Sequence, residues 1–153
     1  MNNTLFTSDL AEIQISYSTK VKEADRKKIT CSKDAANILR EIYPGLEHRE
    51  YFYILCLNRA NQLLGFHQVS AGGISGTVTD VRLIFQVAIK SNTSGIILSH
   101  NHPSGNLTPS EADIKITKKI KDAGAFLDIQ VLDHLIIGHG QFCSLKEKGL
   151  GFS

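Results

Sequence analysis

Residues 50–58, EYFYILCLN, constrain the fold more than any other stretch of this chain. From Tyr51 to Leu57 there is no charge, and large apolar side chains occupy odd and even positions alike. Successive side chains on a strand point to opposite faces, so this run needs cover on both sides and belongs at the centre of a sheet. A turn at NRANQ follows, and LLGFHQVSAGG reads as the antiparallel partner. GIILS (residues 95–99) is a second buried strand. FLDIQVLDHLIIGHGQFCSL reads as two or three closing strands, with a tight turn at Gly138-His139-Gly140. Near the start, AEIQISYSTK alternates at Ile13, Ile15 and Tyr17, which predicts a half-buried strand.

Helical signals lie between these strands. Ser32 is placed to cap a first helix whose stripe is Ala35, Ile38, Leu39 and Ile42, ending at Pro44-Gly45. Thr79 or Thr77 can cap a second, with Val81, Ile84, Phe85, Ala88 and Ile89 facing the core. A third occupies about residues 109–123. Helices alternating with strands, with hairpins also present, predict a mixed α/β fold: one mixed sheet with helices packed on its faces.

The 153 residues suit one domain, residues 31–153, joined by an N-terminal strand and charged connection over residues 1–30. With 42% hydrophobic and 21% charged residues the chain is globular, and its net charge of +2 gives no electrostatic case for nucleic acid. The lysines of VKEADRKKIT have no aromatic interleaving and read as a solvated edge rather than a phosphate site. No apolar run approaches a membrane span, and the start lacks the order of a signal peptide, so a cytoplasmic protein is expected. Three scattered cysteines, Cys31, Cys56 and Cys143, form neither a disulfide framework nor a C-x-x-C pair; Cys56 reads as a core residue.

The densest polar chemistry is SHNHPSGNLTPSEAD, residues 99–113. It leaves the apolar strand directly, so His100 and His102 project the same way and Asn101 turns aside. Pro103 ends the ladder and stiffens the turn. Thr108 as N-cap, Pro109 at the first helical position and Glu111 completing a capping box make a helix start. Ser110 and Asp113 share a face of that helix. A His-x-His pair alone is more often a polar loop. Joined by Asp113 and a serine on two rigid elements, it resembles a three-ligand zinc site with an open fourth position.

These residues fit the JAMM (MPN-type) metalloprotease signature His-x-His-Pro-x6-Ser-x2-Asp without a gap. The fuller stretch, VRLIFQVAIKSNTSGIIL before it and VLDHLIIG after it are similar to the bacterial RadC-like branch of that superfamily, over about residue 30 onward. The resemblance implies a curved mixed sheet flanked by helices, with the layering of the cytidine deaminases. It implies hydrolysis of a peptide or isopeptide bond in a protein substrate, with one Zn²⁺ held by His100, His102 and Asp113. It implies Ser110 as the oxyanion-stabilising serine and a general-base glutamate at the start of the strand after the first helix, which is Glu50 here. Glu41 and Glu47 fall before that position, and Glu111 is assigned to its own helix start. His134 has two readings: a partner orienting a ligand imidazole, or a histidine hydrogen-bonded at a strand junction. His48, His67 and His139 have no such spacing and are assigned to the surface.

A rival reading is a partner-binding or DNA-repair-associated module whose metal site is structural or inactive. Members of this branch commonly carry a helix-hairpin-helix region ahead of the domain. The residues before 30 are too few for one, so DNA binding by that route is not expected. A structural zinc usually has four protein ligands, and only three are found here, which favours the enzyme.

Overall fold

The computed structural model describes residues 10–14, 16–18, 20–72 and 79–153. Five strands are found there: β1 (Tyr51–Leu57), β2 (Leu63–Ala71), β3 (Gly95–His100), β4 (Gln130–Ile137) and β5 (Phe142–Ser144). Helices α1 (Ser32–Ile42), α2 (Val81–Lys90) and α3 (Glu111–Phe126) connect them, and a short 3₁₀ turn covers Glu23–Asp25. The strands form one open mixed sheet in the order β2-β1-β3-β4-β5. Only the β3–β4 pair is parallel, and α3 makes the crossover between those two strands.

β1 is central, as its composition requires, and all its residues after Tyr51 are buried. Its side chains divide by parity. Tyr53, Leu55 and Leu57 pack with Ala35, Ile38 and Leu39 of α1, while Phe52, Ile54 and Cys56 pack with Ile84, Phe85 and Ala88 of α2 and Ile120 of α3. β3 divides the same way: Ile97 meets the α1 layer, and Ile96 and Leu98 meet the α2/α3 layer. His100 continues the second series, so it emerges on the side covered by α3. Gly138 carries the chain from β4 into the turn before β5, and a Cβ there would meet Leu107 Cδ2 at 2.9 Å. The loop leaving β3 is thereby packed down on the end of β4.

Several local expectations are corrected. The described residues of the N-terminal stretch form no strand, and Ile13 is fully out of the core at 88% exposure. Ile15 lies outside the described residues. Alternation over so few positions stabilises a strand only where a sheet edge pairs with it; the Tyr17 hydroxyl donates to the Leu64 carbonyl at 3.1 Å, but no strand ladder forms among the described residues there. Among the described residues, the first to enter the core is Ile29. The N-cap of α1 is Cys31 rather than Ser32, because Cys31 is extended (φ −152°) and Ser32 is already helical. Asp34 reaches back from the first turn to accept from the Thr30 amide and hydroxyl. Asp80 caps α2 by accepting from the Arg82 amide, in place of Thr79; Thr77 lies outside the described residues. Ile89 lies off the buried stripe of α2, 57% exposed.

The start of α3 differs in a way that bears on the site. The N-cap is Ser110, not Thr108, and the helix runs three residues further than expected, to Phe126. Thr108-x-x-Glu111 and Ser110-x-x-Asp113 both match the capping-box pattern. A Thr108 box would need the Thr108 amide for Glu111, but that amide donates to Asn106 Oδ1 at 2.9 Å. The Ser110 box closes both ways: Ser110 Oγ accepts from the Asp113 amide at 3.0 Å, and Asp113 Oδ2 accepts from the Ser110 amide at 2.9 Å. Glu111 is instead the exposed first residue of the helix.

Candidate metal centre

Three chain segments meet where the central strands end, at the start of β1 and the end of β3. Antiparallel pairing sets Phe52 opposite His100, so the residue two before Phe52, Glu50, shares the face on which His100 emerges. The turn after β3 returns His102 to that face, and the first turn of α3 delivers Asp113. His100 Nε2 lies 3.0 Å from His102 Nε2. Asp113 spans the pair, with Oδ1 3.2 Å from His100 Nε2 and Oδ2 3.1 Å from His102 Nε2. A carboxylate oxygen of Glu50 and one ring nitrogen each of His100 and His102 all lie within 4.8 Å of one another, a group that could hold a metal ion.

The spacing suits a cation. Donor atoms about 2.0 Å from a tetrahedral ion lie about 3.3 Å apart along each edge of the tetrahedron. The 3.0 Å between His100 Nε2 and His102 Nε2 falls just inside that value, and Asp113 meets the two nitrogens through different oxygens, at 3.2 and 3.1 Å. Two borderline nitrogen donors and one anionic oxygen suit a divalent transition metal better than magnesium or calcium, which take mostly oxygen.

Electrostatics are consistent with a site built around positive charge. Burial works against ionised Asp113, but hydrogen bonds from His100 and His102 and the Ser110 amide hold its carboxyl far below the usual range. The amino end of α3 adds its own partial positive charge. His102 is raised above the ordinary imidazole value, chiefly by its hydrogen bond to Asp113. His134, fully buried, is held well below that value by desolvation.

The neighbouring residues fix these groups. His102 Nδ1 lies 2.6 Å from the carbonyl oxygen of Asn106, which can only accept. His100 Nδ1 lies 2.7 Å from His134 Nε2, and His134 Nδ1 lies 2.5 Å from the Thr117 hydroxyl. Phe52 stacks parallel to the His100 ring with centroids 6.1 Å apart. Asn101, fully buried on the opposite face, accepts from the Tyr51 amide at 2.8 Å and donates to the Leu46 and Arg49 carbonyls, both at 2.9 Å. It ties the segment carrying Glu50 to the segment carrying both histidines.

The structure therefore gathers Glu50, His100, His102 and Asp113, and places Ser110 at the rim, exposed and engaged in its cap. His134 is hydrogen-bonded across the β3–β4 junction to His100 and to Thr117, which fits a histidine held at a strand junction and equally a partner orienting the His100 imidazole. His48, His67 and His139 are exposed, as expected. Sequence reasoning missed Thr117 and the tie made by Asn101. Thr117 lies four residues after Asp113, one helical turn on, and that spacing is the one signal that could have found it.

Comparison with known proteins places the chain in a family. The model of the RadC-like JAB domain matches residues 29–150. The chain is 50% identical over 124 residues to a UPF0758 protein of Flavobacterium johnsoniae, covering 81% of this chain and 54% of that one. It is 42% identical over 129 residues to a UPF0758 protein of Clostridium kluyveri, covering 84% and 56%. A UPF0758 protein of Desulforamulus reducens is 44% identical over 122 residues, covering 80% and 53%. The chain thus spans about half the length of the curated relatives it matches. With a family model covering most of its length and a relative 50% identical over 81% of it, the chain belongs to the RadC-like JAB domain family.

Proposed function

We propose that this chain is a zinc-dependent hydrolase of the JAMM type that cleaves a peptide or isopeptide bond. The observation that carries the reading is the convergence of His100 Nε2, His102 Nε2 and the two oxygens of the Asp113 carboxylate at 3.0–3.2 Å, with Glu50 within 4.8 Å of both nitrogens. His100, His102 and Asp113 would hold the zinc, which when bound lowers the pKa of water towards neutrality and polarises a carbonyl.

The chain's own residues do the rest. Glu50 lies within 4.8 Å of the histidine nitrogens, close enough to reach a water bound beside them. Its carboxylate takes the proton of the attacking water and later delivers it to the leaving nitrogen. Ser110 Oγ uses a lone pair to cap α3, so its hydroxyl hydrogen remains available to donate to the carbonyl oxygen as it gains charge. The start of β1 and the loop leaving β3 flank the site, and a polypeptide substrate would enter there.

Metal-free protein titrated with zinc should take up close to one equivalent, and His102→Ala should abolish that uptake. Glu50→Gln keeps the shape and removes the proton acceptor. It should retain zinc while hydrolysis of a peptide and isopeptide substrate panel falls roughly a hundredfold to ten-thousandfold. Wild-type protein that stays metal-free at excess zinc, or a Glu50→Gln variant as active as wild type, refutes the reading.

A further inference from the structure

His134 and Thr117 are both fully buried, and neither faces the open side of the centre. Their contacts run in series. Thr117 Oγ1 lies 2.6 Å from the backbone carbonyl of Asp113 and 2.5 Å from His134 Nδ1, while His134 Nε2 lies 2.7 Å from His100 Nδ1. A hydroxyl has one proton, and a carbonyl oxygen can only accept. If Thr117 donated to His134, two bare oxygen lone pairs would face each other at 2.6 Å. The Thr117 proton therefore goes to the Asp113 carbonyl, and Thr117 Oγ1 must accept from His134 Nδ1–H.

The remaining directions follow. His134 has no solvent exposure and faces no carboxylate directly, so the neutral imidazole is the form that its buried position accommodates. With its proton on Nδ1, its Nε2 carries a lone pair and must accept from His100 Nδ1–H. That leaves a lone pair on His100 Nε2, the nitrogen facing His102 and Asp113. The series starts at the backbone of Asp113 and ends on His100, so two of the three proposed ligands are joined by a path that never crosses the site.

We infer that Thr117 and His134 are positioning residues: a one-way hydrogen-bond relay that fixes His100 in the tautomer presenting Nε2 to a metal ion. The inference rests on the proposed metal site, but the tautomers can be read without metal. His102 reaches the same tautomer by a shorter route, donating from Nδ1 to the Asn106 carbonyl. The two imidazoles are thus set independently, one by a loop carbonyl and one by the relay from α3. Thr117→Val keeps the volume and removes the hydroxyl. His134 Nδ1–H would then be left without an acceptor, and the favoured rearrangement moves that proton to Nε2. His134 would donate to His100 Nδ1, and the His100 proton would move to Nε2, where it blocks a metal.

The test uses two readouts on the full chain. Long-range proton–nitrogen NMR of the metal-free protein at mildly alkaline pH reports which ring nitrogen of each histidine is protonated, and zinc titration against a chelating competitor reports affinity. In wild type, His100 and His134 should both be protonated at Nδ1. Thr117→Val should move the His100 proton to Nε2 and weaken zinc binding roughly tenfold to a hundredfold, the usual effect of losing such a partner. Thr117→Ser, which keeps the hydroxyl, should retain both wild-type tautomers and wild-type affinity. A generic packing defect would not be rescued by serine, nor would it exchange tautomers. Should Thr117→Val fail to fold, wild type and Thr117→Ser still decide the matter by the NMR assignment. The inference is overturned if wild-type His100 is protonated at Nε2, or if Thr117→Val binds zinc as wild type does. Wild-type tautomers as stated, without zinc uptake, would uphold the relay's direction and overturn the metal reading.

Discussion

Replacing Asn101 should separate the support of Glu50 from the residues proposed to hold the metal. Its side chain makes three hydrogen bonds at a position with no solvent exposure, one to the Tyr51 amide and two to the Leu46 and Arg49 carbonyls. At about 1 kcal/mol each, Asn101→Ala should cost about 3 kcal/mol, more if water cannot reach the orphaned groups. For a chain of this size that corresponds to a fall in Tm of roughly 6–12 °C. Asn101→Asp is the sharper variant because it is isosteric. One oxygen can still accept from the Tyr51 amide, but the other stands where Nδ2 now donates to two carbonyls. Ionised, it repels both, and protonated, it serves one.

Asn101→Asp should therefore destabilise at least as much as alanine at neutral pH. The introduced carboxyl has a raised pKa in the folded state, so its penalty grows as pH rises from the unfolded carboxyl value and shrinks on acidification. Differential scanning calorimetry from about pH 4 to pH 8 measures this directly. Zinc uptake should stay near wild type in both variants, since none of the three bonds touches His100, His102 or Asp113, while hydrolysis drops with the loss of Glu50 support. An aspartate variant with wild-type Tm at neutral pH would show that the three bonds carry no such weight.

Metal uptake should also depend on pH. The His102–Asp113 pairing raises the imidazole, so it stabilises the metal-free fold below about pH 6.5 and is lost as pH rises through the higher folded value. Zinc must displace that proton, so the zinc-induced rise in Tm should grow from about pH 5 to pH 8; a rise of constant size would contradict the pairing. At the start of α3, Ser110→Ala removes a working cap and should cost about 1 kcal/mol, whereas Thr108→Ala should cost much less, since no cap bond is made there. Equal losses in chemical denaturation would refute that assignment. Ser110→Ala should still bind zinc, with hydrolysis reduced on the order of a hundredfold, as for one lost oxyanion donor.

The strongest sequence signals here are those that one element can satisfy alone. The charge-free run of β1 needs two covered faces whatever its neighbours are, and the His-x-His spacing follows from strand geometry. The start of α3 was ambiguous because two capping boxes overlap by two residues, and the choice turns on the Asn106 side chain, which lies outside both. Alternation at Ile13 and Tyr17 is a sound local pattern, but a strand needs an edge to pair with, and pairing is a tertiary fact. Asn101 carries no local signature, and Thr117 only its spacing of one helical turn from Asp113. Their partners lie up to 55 residues away in the chain, so their meaning appears only when β1, β3 and β4 lie side by side.

The antiparallel register of β1 against β3 has a consequence for the order of assembly. On the proposed roles, the metal-holding residues come from one short parcel of chain, residues 100–113, whereas Glu50 is recruited from fifty residues earlier through the pairing of Phe52 with His100. Closing the longer loop costs about 1 kcal/mol more in chain entropy than closing the shorter one. A nascent or partly unfolded chain can then gather a cation before it has a base beside it. Hydrolytic competence would be the last property acquired during folding and the first lost when β1 frays from β3, which would protect the chain and its neighbours from cleavage by an unfinished enzyme.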